Sequence, residues 1–555
     1  MGAINHLNSP TQMTGIPNVT YVRKELLDVM PIYTLIADSI AGSHAVKAAR
    51  DKYLPRPNAA DRSEENAIRY SQYLARAVYY NVTRRTIFAL AGQIFLRAPQ
   101  IDLPPGLTPI VQDASGENVP LDQHAEIMCR NVFAYGRAGL FGDYPTTSGA
   151  LTKGELSKDD VRPVITAYTS ANIINWRRAL RGRKQVYTLI VLSEPHTIYD
   201  NGFAAEASVQ YKVLRLAPVD MAEAILAASF KDPAQLDERL AAALTRSKAS
   251  ASDVYFIEIW REVETSRNVK VFMPVEQYFP TDASGAFLNE IPFQFIGAEK
   301  NDDTIDHPPM TDLAEMNVAH YRNSADYEET SFLTGQPTPF VSGVTQEWND
   351  NVLKGVIQLG SRGVIVLPSG GTAGLLQAAA NSVPFEAMQH KERQMVALGA
   401  KLVEQRQVQR TATEAEMEGA ADTSVLATVA KNVSNAYLAA LRMICAFTGD
   451  DPDAIKFALN TEFDLTRMDA NERAQTVLEW QSGAITTTEM RSNLRRGGIA
   501  VLDDKAYTAE AKADEQARLD RKTKQAETEM KAKGADPNNP PGRNPAKPNE
   551  AAKGK

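Results

Sequence analysis

Carboxylates come in three short runs: Asp302-Asp303, Glu328-Glu329, and Glu414, Glu416 and Glu418. Divalent metals held by such side chains could drive phosphodiester hydrolysis, provided that the carboxylates converge in space. Runs of like charge more often mark a solvated face, and nothing in these spacings selects a metal. Seven histidines (His6, His44, His124, His196, His307, His320 and His390) are scattered, with no His-Glu-x-x-His pair among them. Cys129 and Cys445 lie far apart in apolar helical stretches and read as two buried thiols, not a disulfide. The glycine-rich stretches Gly360 to Gly363 and Gly370 to Gly374 carry no lysine in the phosphate-reaching position. There is no Gly-x-Ser-x-Gly elbow. No cofactor and no catalytic or metal site is therefore expected, and an enzyme is the weaker class. A metal-dependent nucleic-acid enzyme using Glu414 and Glu416 stays as an alternative, as does an intracellular scaffold with a long interaction tail.

The bulk properties agree. The chain has 555 residues, 43% of them apolar, enough for real cores in several domains. Its net charge is −8. A protein that grips DNA by neutralising phosphates is basic, so this one either leaves nucleic acid alone or handles it without holding it. Met1 to Pro10 shows no signal-peptide pattern. The longest apolar helical run, Thr86 to Leu96, is too short for a bilayer. The expectation is a soluble protein made in a cytoplasm, with no membrane partner.

Any functional residues must be held by the following elements. Residues 1–150 read as mainly helical. Leu26, Leu27, Met30 and Leu35 suggest a first helix, bent or broken at Pro31. A second run opens near Ser63 with Glu64 and Glu65 and continues through Ile68, Leu74, Val78, Val82, Ile87, Leu90 and Ile94 to a stop at Pro99. A further helix covers Leu121 to Arg137, ending at Gly136 or Gly139, with a turn over Phe141 to Pro145. From about 160 to 300 the period becomes two. Val164–Tyr168, Val186–Leu192, Val209–Leu216, Val254–Trp260 and Val269–Phe272 read as strands of an antiparallel sheet, interrupted by an alanine-rich helical insertion over 219–248.

Pro308-Pro309 then opens a helix to Leu333, with Met310, Ala314, Val318, Tyr321, Ala325 and Phe332 on one face and His320, Arg322, Asn323, Glu328 and Glu329 on the other. Residues 334–382 form a compact segment with a short helix at Glu347 to Leu353, a strand at Gly363 to Leu367 and a turn at Pro368 to Gly371. A helix over Pro384 to Arg406, capped by Ser382, leads to a polar link from Gln407 to Ala421. A long helix from Asp422 to Thr448 carries the stripe Leu426, Val429, Val433, Ala436, Ala440, Ile444 and Phe447, and Gly449 closes it. A short strand near Ile455 to Leu459 and helices at about 470–482 and 487–496 follow. The tail from Lys505 is charged, then rich in proline, asparagine and glycine, and is expected to be solvated.

This order of parts, with the run Tyr321-Arg-Asn-Ser-Ala-Asp-Tyr-Glu-Glu-Thr-Ser-Phe-Leu-Thr-Gly-Gln-Pro-Thr-Pro339, the segment Gly363-Val-Ile-Val-Leu-Pro-Ser-Gly-Gly371 and the link Gln409-Arg-Thr-Ala-Thr-Glu414, resembles the portal (head-to-tail connector) proteins of tailed bacteriophages. The resemblance covers about residues 60–500. It implies an α+β fold: a wing over 1–309 (helices, then an antiparallel β block), a first stem helix over 310–333, a small α/β clip over 334–382 and a second stem helix over 383–406. A tunnel loop over 407–421, a long wing helix with a crown-proximal part over 422–504 and a charged flexible tail over 505–555 complete it.

The same resemblance implies a ring of identical subunits, typically a dodecamer, at one capsid vertex of the virion. Double-stranded DNA would be packaged through it by the terminase large subunit, which supplies the ATP site that this chain lacks, and later ejected. Head-completion or adaptor proteins, the major capsid protein and scaffolding protein would be its other partners, with assembly in the host bacterial cytoplasm. Arg406, Gln407, Gln409, Arg410, Thr411 and Thr413 would face the DNA, since short polar, weakly basic side chains touch a sliding duplex without locking onto it. Phe340, Trp348 and Arg362 would be the clip's partner contacts.

Overall fold

The computed structural model describes residues 18–144, 162–200, 202–229, 238–250, 252–264, 269–336, 338–353, 367–377, 381–402, 424–461, 463, 470–496 and short stretches between 507 and 524. The chain forms two compact units, 1–461 and 462–555. The boundary at 461/462 falls inside the stretch 422–504 that the sequence treats as one piece.

The first unit is α+β. Its helices begin with α1 (Lys24–Ala41), α2 (Ser43–Ala48), α3 (Glu64–Arg76), α4 (Val82–Ile94) and α5 (Leu121–Tyr135). α1 runs unbroken through Pro31, in place of the expected break. The apolar run from Ser63 to Pro99 is two helices and not one. α3 starts at Ser63, whose Oγ accepts from the Asn66 N–H, and α4 restarts at Asn81, whose Oδ1 accepts from the Arg84 N–H. Tyr70 and Tyr73 are the core residues of α3, while Ile68 and Val78 are exposed, so the expected stripe is wrong there.

α5 ends where Gly136 takes the left-handed conformation (φ 68°). A Cβ at Gly136 would lie 2.5 Å from the Asp306 carbonyl oxygen, so the site demands glycine twice over. Beyond it the expected turn is instead a buried strand, β2 (Arg137–Asp143). With β1 (Gln100–Asp102) already passed, β2 is the central strand of an antiparallel sheet ordered β3-β2-β9, with β3 Val164–Thr169 and β9 Phe293–Gly297. A second antiparallel sheet is a five-stranded meander: β4 (Ile173–Arg181), β5 (Lys184–Asp200), β6 (Ala205–Ala217), β7 (Val254–Glu264) and β8 (Lys270–Tyr278). The five expected strands are all present, and β2, β4 and β9 are additional.

Even residues of β5 and β6, such as Ile190, Leu192, Leu214 and Leu216, join Trp176, Phe293 and Phe295 in one core. The opposite face places Val191, Val213 and Tyr211 against Leu26 and Tyr33 of α1. The insertion between β6 and β7 is two helices, α6 (Val219–Ser229) and α7 (Glu238–Ser250), and Leu226 and Ala243 cover Phe256 and Phe279.

The first unit continues with α8 (Thr311–Gly335), β10 (Thr338–Ser342), β11 (Thr372–Leu376), α9 (Val383–Lys401), α10 (Val425–Thr448) and β12 (Lys456–Ala458). α10 is the central helix of the unit. Its whole predicted stripe is buried, Ser424 Oγ caps its first turn, and Gly449 closes it at φ 73°. β12 returns to pair with β1, Ile101 opposite Phe457, which stacks on Tyr437 of α10. Cys129 and Cys445 are buried free thiols.

In the second unit α11 (Ala470–Gln481) and α12 (Thr487–Arg496) are joined by a short turn. The Thr486 Oγ1 accepts from the Glu489 N–H while Glu489 accepts from the Thr486 N–H, a capping box. Among the described residues no helix is long and apolar enough to cross a membrane.

Candidate functional site: a helical hairpin with a β-hairpin tip

α8 is half core and half projection. Leu313, Ala314, Asn317, Val318, Tyr321 and Ala325, at spacings of three and four, are buried in its first half. Past Glu329 the helix is largely exposed, and Phe332, expected on the buried face, lies on the surface. His320, expected on the polar face, is buried beside the Tyr80 ring (centroids 6.1 Å apart).

α3 buttresses the projecting half. The Tyr73 hydroxyl donates to Asp326 Oδ1 at 2.6 Å, Arg76 pairs with Glu329, and the Arg76 guanidinium stands 4.2 Å from the centre of the Phe332 ring. Burial and the Asp326 carboxylate push the Tyr73 phenol up, so it remains a donor across the physiological range.

At the far end β10 and β11 form a two-stranded antiparallel sheet, with Thr338 opposite Leu376 and Phe340 opposite Gly374. The chain then returns along α9, and three contacts fix the packing. Gln377 Nε2 donates to the Thr334 carbonyl at 3.0 Å, the Tyr327 and Phe385 rings lie 5.6 Å apart, and His320 Nε2 lies 3.2 Å from Glu392 Oε1. Position numbers fall on α8 as they rise on α9, so the two helices are antiparallel. Met395 is the buried side chain of α9, and the Leu402 carbonyl accepts from the Leu426 N–H at 3.3 Å, returning the chain to α10.

The expected clip residues divide. Phe340 lies on β10 with its ring over Gly374 and its outer side in water. Trp348 is half-buried in a one-turn helix (Gln346–Trp348) capped by Thr345. Arg362, residues 363–366 of the expected strand, and the channel residues Arg406, Gln407, Gln409, Arg410, Thr411 and Thr413 lie outside the described residues, and Leu367 is not in a strand.

The sequence reading missed β10 and β11, and with them Leu375 and Leu376. A cue existed: the Pro368-Ser-Gly-Gly371 turn is followed directly by Thr-Ala-Gly-Leu-Leu. No group of three or more His, Cys, Asp or Glu side chains among the described residues could hold a metal ion. What the described part of the projection offers is a surface with exposed apolar side chains such as Phe332, Phe340, Leu375 and Leu376.

A protein family described as a domain of unknown function (DUF4055) matches residues 309–448, from just before α8 to the last residue of α10. No curated protein matches the chain. Solved structures similar to it include a chain of the virion of a native gene transfer agent particle, at 12% identity and a TM-score of 0.35, covering 81% of this chain and 98% of that one. Two others come from the neck of gene transfer agent particles. One is the neck of an empty particle computed with C6 symmetry (11% identity, TM-score 0.35, 75% of this chain and 90% of that one). The other is the neck of the native particle computed with C12 symmetry (11%, 0.35, 74% and 89%).

Proposed function

We propose that the chain is a structural component of a phage-like particle and, specifically, a portal: a ring of identical subunits at one capsid vertex through which DNA enters and leaves. The observation that carries this reading is the antiparallel α8–α9 hairpin with its β10–β11 tip, which leaves an α+β body and is followed in the chain by the long helix α10. These are the stem, clip and wing helix that the order of parts in the sequence implies. In this reading the body is the wing, the tip meets the terminase during packaging and adaptor proteins afterwards, and residues 407–421 face the duplex. The protein does no covalent chemistry, and the packaging motor supplies the energy.

The test is the mass and shape of the purified full chain, by light scattering and negative-stain electron microscopy. The expected result is a closed ring many times the subunit mass with a central hole, typically twelve-fold. A protein that remains a monomer or dimer both alone and with its scaffolding protein overturns the reading.

A further inference from the structure

β4 is an edge strand of the five-stranded sheet, and Arg23, the residue before α1, is laid along its open edge. The Arg23 N–H donates to the Ile174 carbonyl and its Nη1 to the Trp176 carbonyl, both at 3.0 Å, and its guanidinium stands 4.6 Å from the centre of the Trp176 ring. The first turn of α1 is thereby fixed against β4, and a cleft of about 630 Å³ opens beside the contact. Asn175, between those two carbonyls in sequence, lines it. Only 8% of Asn175 is exposed, and among the described residues its side-chain amide has no hydrogen-bond partner. β4 bulges at Ile174 and is regular from Asn175 onward, so Asn175 and Arg177 share a face. An amide so enclosed, with no protein group to bond, is one that a bound molecule would satisfy.

The charges around Asn175 suit an anion. Lys24, the first residue of α1, and Arg177 both line the cleft and are exposed, and among the described residues neither is in an ion pair. Arg23 is committed to Glu25, with Nη2 2.7 Å from Oε1. No side chain at the cap position serves α1, so the Lys24 N–H at its positive end lies outside the helical ladder. Asp28, one turn further along α1, also lines the cleft and repels an anion from that end. The space exceeds a bare phosphate and matches a molecule of nucleotide size. Tyr21, 42% exposed at the cleft wall, offers a ring on which a base can stack. We propose that the cleft between α1 and β4 binds a nucleoside monophosphate, with the phosphate between Lys24 and Arg177, the base on Tyr21, and a base edge or ribose hydroxyl on the Asn175 amide. The site is complete within one subunit.

Isothermal titration calorimetry of the full-length protein with adenosine monophosphate is the test, and one molecule should bind per chain. Lys24→Ala and Arg177→Ala should each weaken binding about tenfold, because each removes a charge-assisted contact to the phosphate. Asn175→Ala should weaken the nucleotide and leave the affinity for inorganic phosphate unchanged. Lys24 and Arg177 are exposed, so their variants should keep the fold, and Arg84→Ala, at an exposed arginine of α4, should leave binding unchanged. No binding of adenosine monophosphate overturns the site, as does binding that Lys24→Ala and Arg177→Ala leave intact. Inorganic phosphate bound as tightly as the nucleotide would reduce the cleft to a bare anion site and overturn the nucleotide assignment. A short single-stranded oligonucleotide bound more tightly than the mononucleotide, through the same two residues, would overturn it in favour of nucleic acid.

Discussion

Asn317, in the first half of α8, caps α4 from the side. Its Oδ1 accepts from the Thr83 N–H at 3.2 Å, from the Val82 N–H at 3.0 Å and from the Thr83 hydroxyl at 3.1 Å, while its Nδ2 donates to the Tyr80 carbonyl at 2.7 Å. The side chain is fully buried, so without it the Thr83 N–H loses its acceptor, while the Val82 N–H still donates to the Tyr80 carbonyl at 2.9 Å. Asn317→Ala should cost about 2 kcal/mol, since the first turn of α4 loses this cap and the Thr83 N–H its acceptor. Asn317→Asp keeps the acceptor and loses only the donor to Tyr80, and should cost less. Thermal unfolding of the two variants checks the order, and equal losses would contradict the capping role.

Arg137, at the start of β2, is fully buried, and among the described residues no carboxylate is in hydrogen-bond contact with it. Its guanidinium donates to Ser170 Oγ and the Asp303 carbonyl, both at 3.1 Å, and stands 4.2 Å from the centre of the Trp176 ring. It joins the two sheets to the loop that leads into α8. Arg137→Met should cost roughly 3 kcal/mol through orphaned acceptors. Arg137→Lys should recover only part of this, because an ammonium neither stacks nor reaches both acceptors. Chemical denaturation measures both, and full recovery by lysine would show that charge alone matters.

His124 on α5 makes a 2.6 Å contact through Nδ1 with the Tyr437 hydroxyl on α10, and burial pushes its imidazole down to about 4 from the ordinary 6.5. The folded state therefore binds the proton more weakly than the unfolded one. Stability is intact above about pH 6.5 and is lost as the pH falls toward 4, by on the order of 3 kcal/mol in all. A denaturation series between pH 7 and pH 4.5 should show this slope, and His124→Gln should flatten it. A slope that survives the substitution would assign it to other groups.

If the chain is a portal as proposed, replacing Gln409, Arg410 and Thr411 together by glycine and serine should leave ring assembly intact and impair DNA packaging or retention. Electron microscopy and a packaging assay report the two arms separately. Loss of the rings themselves would remove this segment from the channel.

Much of the fold is legible locally. The stripe of α10 and its closing Gly449 need only a 3.6-residue period and a left-handed stop, and the strands between 164 and 272 need only β-branched alternation. These fix an α+β chain. The apolar run from 63 to 99 also keeps a helical period, yet α3 and α4 separate: Asn81 caps α4 locally, and Asn317, 234 residues from Thr83 along the chain, accepts from the Val82 and Thr83 N–H groups beside it. His320 reads as polar surface, but Tyr80 and Glu392 close over it from two other elements. β10 and β11 are two short segments, neither stable alone, and only their pairing with each other makes them strands. Local periodicity therefore decided the elements, and long-range packing decided where the elements stop, which faces are buried and which leucines remain in water.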